Sequence, residues 1–174
     1  AFAGTTTTGI YTVLAGHTSA DLTATSVVVN TTARDAALNN LVTTLPVTNI
    51  AAGSNIIVDT TAPTITSITS STANGSYKAG DVIAIRINFS EPITLVGTMG
   101  INLDSGGVCV ISGFTGTTAT GTYTVLAGHT SADLTATSVV VNTTARDVAL
   151  NNLVVTLPGI NIATGSNISI DTTA

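Results

Sequence analysis

Three carboxylates, Asp59, Glu91 and Asp147, and two amides, Asn151 and Asn152, are the side chains in this sequence best suited to chemistry. Carboxylate and amide oxygens are the ligands that a hard cation such as Ca²⁺ takes. Asp59 closes "NIIVD", Glu91 stands in "FSEPI", and Asp147 opens "DVALNN". Brought to one place, three like charges need something to offset their repulsion, and a divalent cation does so. A plainer reading uses the same residues as turn formers, with Glu91 pointing to water. The two readings differ in one respect, whether the fold brings the three carboxylates together.

Other chemistries find less support. His17 and His129 each stand four residues before an aspartate, Asp21 and Asp133, with no cysteine or second histidine close by. That spacing fits a surface loop better than a zinc or copper site. No G-x-S-x-G elbow, phosphate-binding loop, dinucleotide fingerprint or H-E-x-x-H occurs, so the expectation is a protein that is not an enzyme. Nine acidic residues against four basic ones give a net charge of −5. Arg34, Lys78, Arg86 and Arg146 are scattered and form no basic footprint for nucleic acid. No apolar run is long enough to span a membrane. Three Phe, three Tyr and no Trp leave little for a carbohydrate-stacking face. Cys109, the single cysteine, lies in the apolar run "VCVISGF" and reads as a small buried hydrophobe.

The elements that must position these residues are strands. Thr is the commonest residue, Val and Ile are abundant, and β-branched side chains suit a pleated surface. The stretch "YTVLAGHTSADLTATSVVVNTTARD" occurs at 11–35 and again, unchanged, at 123–147. Extended outward, residues 1–62 align with 113–174 at 51 identical positions of 62. The sequence therefore reads as the back half of one repeat (1–62) followed by one complete repeat (63–174), with a period of 112 residues. That period is too long for a solenoid coil and matches an autonomous β-sandwich. The absence of an initiator Met fits a mature product or a fragment of a longer array.

Within the complete repeat, strands are expected at 64–71, 82–89, 93–96, 100–103, 108–114, 118–126, 138–142 and 167–171. "ANGSYKAGD" reads as a turn and "HTSADL" as room for one helical turn. In "VIAIRINF" the alternation puts Ile83, Ile85, Ile87 and Phe89 toward a core, with Val82, Ala84, Arg86 and Asn88 on the other face. Short strands at this spacing give an all-β fold, an immunoglobulin-like β-sandwich. In that topology the incoming linker, the loop after the second strand and the loop before the last strand share one end, which gathers Asp59, Glu91, Asp147 and one of Asn151 or Asn152.

The segments "DTTAPTITSITSSTANGSYKAGD", "INFSEPI" and "ARDVALNN" resemble the bacterial immunoglobulin-like repeats of large surface adhesins and biofilm-associated proteins. That family shows D-T-T-A-P at the junction, F-S-E-P after the second strand and K-D-A-A-G-N-N before the last. The resemblance covers residues 59–174 and, through the repeat, the half module before them. It implies calcium at module junctions, an extracellular, cell-surface location and a structural role as adhesin stalk or surface fibre. The implied partners are neighbouring repeats or other copies of the protein, with any host or cell-surface ligand held elsewhere in a longer chain. One departure stands out: Leu38 and Leu150 occupy the place of the family's glycine, which strains the turn if it needs a positive φ. An alternative is a filament subunit whose half module is completed by strand donation from a neighbouring copy.

Overall fold

A computed structural model describes residues 3–173. The chain divides into two compact units, Ala1–Thr61 and Ala62–Ala174. Its regular structure is mostly β-strand in antiparallel sheets, with two helical turns among the described residues, α1 (Ile50–Gly53) and α2 (Ile162–Gly165). No helix among the described residues is long and apolar enough to cross a membrane.

The second unit holds the strands. In chain order they are β1 (Ile65–Ser70), β2 (Gly75–Tyr77), β3 (Val82–Leu103), β4 (Val108–Thr124), β5 (Thr130–Ser131), β6 (Ala136–Val141), β7 (Thr144–Arg146) and β8 (Ile168–Asp171). One sheet runs β1-β3-β4, with β6 and β7 also pairing to β3; a smaller one runs β2-β8-β5. β3 is the spine. Its first part lies between β1 and β4, and its later part pairs with β4, β7 and β6. Period-2 alternation explains its packing: Ile83, Ile85 and Ile87 are fully buried and Phe89 nearly so, while Val82 is half exposed. The same phase continues through Ile93, Leu95, Met99, Ile101 and Leu103, all in the core. Ile168 and Ile170 of β8 join that core from the second sheet.

The expected strands at 82–89, 93–96 and 100–103 are one continuous β3, and those at 108–114 and 118–126 are one β4. Register shifts between Asn88 and Ile93 and between Leu95 and Thr98 account for the apparent breaks. Two assignments are corrected. "GSY" within the expected turn is β2, which pairs in parallel with β8 some ninety residues on. Three residues without alternation carry no local strand pattern, so only the distant partner makes β2 a strand. "HTSADL" holds β5, paired with β8, and the helical turn forms later, at "IATG". There Asn161 caps the turn: its Oδ1 accepts from the Ile162 N–H at 2.8 Å, and Thr164 Oγ1 accepts from the Asn161 N–H at 3.2 Å.

Residues 3–61 repeat the local contacts of 115–173 without the strands. Leu22 N–H donates to Ile56 O (2.8 Å), Ser19 pairs with Val58, and Asn49 Oδ1 accepts from the Ala24 N–H (3.1 Å). Asn161 makes the matching bond to Ala136 at 2.9 Å. The stretch "ATSVVV" is strand β6 at Ala136–Val141, where β3 lies alongside, and is not a strand at 24–29.

Candidate metal centre

The three carboxylates converge. One oxygen each from Asp59, Glu91 and Asp147 lies within 4.8 Å of the others. Asp147 is buried, and Asp59 and Glu91 are half buried.

Local sequence explains each position. Glu91 falls where the β3–β4 register shifts between Asn88 and Ile93, next to Pro92, which has no N–H for the ladder. Glu91 keeps the phase of Phe89 and Ile93 and is half buried. Beside it, Ser90 N–H donates to Thr64 O and Thr64 N–H donates to Ser90 Oγ, both at 2.9 Å, which fixes the start of the second unit next to Glu91. β7 pairs Arg146 with Thr94 antiparallel, so Asp147 continues toward Ile93 and the Glu91 corner. Asp59 belongs to the segment leading into Pro63, where Thr61 N–H donates to Asp59 Oδ1 at 2.8 Å.

The two asparagines part company. Asn151 donates from its backbone N–H to Asp147 Oδ1 and from its side-chain amide to Oδ2, each at 2.8 Å. It therefore orients Asp147. Asn152 Oδ1 instead accepts from Arg146 Nε at 2.8 Å. An oxygen turned toward a guanidinium is poorly placed for a cation, because the two positive charges repel. The turn carrying both asparagines holds Leu150 at φ 70°, and Leu38 has φ 69° in the first copy. The leucines at the family's glycine position thus do adopt the left-handed conformation. In the first copy, Asn39 donates to Asp35 in the same way, side chain at 2.9 Å and backbone at 2.8 Å. These bonds, the side-chain one first, hold the Asp35 carboxyl below its usual value.

At an effective dielectric of 20, two unit charges 4.8 Å apart repel by about 3.5 kcal/mol. Three such pairs make a site that a divalent cation relieves, and an all-oxygen set of two Asp and one Glu suits Ca²⁺ rather than a softer metal. The donor chemistry fits the implied ion.

The histidines have a role that spacing alone missed. Tyr123 Oη lies 2.7 Å from His129 Nδ1, and the rings stack at 5.6 Å. Leu126 N–H also donates to that nitrogen (3.2 Å), so Nδ1 is the acceptor and the tyrosine hydroxyl donates. Ser105, itself buried, donates to Tyr123 Oη at 3.0 Å. The ring rests over Gly107, where a Cβ would overlap it. Tyr11 and His17 repeat the pair at 2.7 Å. The Y-x₅-H spacing, present in both copies, was the available sequence signal. The arrangement ties the loop to the strand.

Compared with known proteins, the chain matches no family model, no curated sequence and no solved structure.

Proposed function

We propose that this chain is a structural segment of an extracellular, repetitive surface protein, an adhesin stalk or surface fibre. Its modules are immunoglobulin-like β-sandwiches spaced by 112 residues, and Ca²⁺ held by Asp59, Glu91 and Asp147 stiffens the junction. The observation carrying this reading is the meeting of three carboxylates from segments that lie far apart in sequence. Turn-forming aspartates alone would have no reason to meet a glutamate from another strand. The role is mechanical: apolar strand faces form each module, and a short "DTTAP" connection with Pro63 leaves little slack.

The test is thermal unfolding in calcium, in magnesium and in chelator, together with small-angle scattering of the full chain. Extracellular modules bind calcium with Kd of about 10⁻⁴–10⁻³ M. At a Kd near 1 mM, 10 mM Ca²⁺ stabilises by about 1.4 kcal/mol, which raises the midpoint by roughly 4–6 °C. Glu91→Gln removes the shift, and calcium narrows the distribution of interatomic distances. A midpoint equal in 10 mM Ca²⁺ and in chelator refutes the proposal.

A further inference from the structure

Several side chains that are core in the second unit have counterparts open to solvent in the first, although Val58, the counterpart of Ile170, is buried. Tyr123, Val125, Ile162 and Ile168 are at most 1% exposed, whereas Tyr11, Val13, Ile50 and Ile56 are 42–53% exposed. The local scaffold is common to both copies, down to the Tyr–His pair and the Asn-capped turn. What differs is cover. In the second unit every strand lying wholly or partly beyond residue 113, except β5, pairs directly with an element of residues 63–112: β4, β6 and β7 with β3, and β8 with β2.

We infer that the apolar face of residues 3–61 docks a polypeptide segment with the chemistry of residues 63–112, one additional to the segment this chain contains. The occupant follows from the duplicate: nearly the same residues form the face that residues 63–112 cover in the second unit. The single 63–112 segment within residues 1–174 does not serve both faces. Residues 1–174 hold two back halves and one front half, so moving residues 63–112 onto 3–61 uncovers 113–173. The front half is also continuous with its own back half through β4, and the high effective concentration of that tether keeps it in place.

The test titrates the full 174-residue chain with a synthetic fragment spanning residues 63–112, in chelator so that the calcium reading plays no part. The expected result is a complex of one fragment per chain by native mass spectrometry. Amide exchange at Ile57, which is 60% exposed, should slow by roughly 100-fold as it enters a sheet. That position differs from its counterpart Ser169, so its signal is not confused with the second copy. Ile56→Asp, confined to the first unit, abolishes binding and leaves the second unit's melting unchanged. Two results overturn the inference: exchange unchanged at about 100 μM fragment, well above the affinity expected of such a face, or a fragment-resistant dimer of the chain closed through the same face.

Discussion

Leu150 offers a direct test of how the turn beside Asp147 is built. Its φ of 70° places a Cβ-bearing residue in the left-handed region, where an L-residue is disfavoured by about 1–2 kcal/mol. The side chain is 68% exposed, so little burial is lost when it is removed. Leu150→Ala and Leu150→Gly lose the same contacts, and their difference isolates the backbone. Glycine is relieved of the strain but loses about 0.5–1 kcal/mol more conformational entropy on folding. Leu150→Gly should therefore be more stable than Leu150→Ala by about 0.5–1 kcal/mol, opposite in sign to the usual order in helices and strands. For a unit of this size that difference is roughly 2–4 °C in melting midpoint, readable by circular dichroism or calorimetry. The Leu150 N–H bond to Asp147 O (3.2 Å) holds the turn closed, so the glycine variant should keep Asp147 in place. An alanine variant as stable as the glycine variant, or more so, would refute the argument from strain.

Further outcomes are expected. Burial pushes the Cys109 thiol up to about 11, so a thiol reagent at pH 8 should leave the folded chain unlabelled and modify it fully once unfolded. Tyr123→Phe removes the acceptor of the buried Ser105 hydroxyl and the donor to His129, and should cost about 1–3 kcal/mol by chemical denaturation. Tyr11→Phe, in a half-exposed ring, should cost less than about 0.5 kcal/mol. Thr173 donates to Asp171 Oδ1 from its hydroxyl (2.6 Å) and its backbone N–H (2.9 Å), and the two bonds, the hydroxyl's first, lower that carboxyl. A lowered folded-state value means the contribution is present above the unfolded value and is lost as pH falls through the folded one. Thr173→Val should move the Asp171 carbon resonance titration up toward the ordinary aspartate value, and an unmoved titration would exclude the hydroxyl as its cause.

Much of this protein is set by local pattern. The alternation of "VIAIRINF" fixes which side chains of β3 face the core, because strand side chains alternate whatever lies beyond them. The Asp-to-Asn bonds, the Tyr–His pairs and the capped turns form in both copies, since all their partners lie within a few residues or within the repeated block. Residue types also named the three carboxylates, but only the β3 register shift and the β7 pairing bring Glu91 and Asp147 to one corner with Asp59. β2 and the divided loyalty of Asn151 and Asn152 were not legible, because each depends on a partner that no local pattern specifies. The duplicated "ATSVVV" states the limit most plainly: identical residues form a strand at Ala136–Val141 and none at 24–29. A strand's backbone groups and apolar face are satisfied by a neighbour, so the sequence determines what can pair, and the presence of β3 alongside decides that it does.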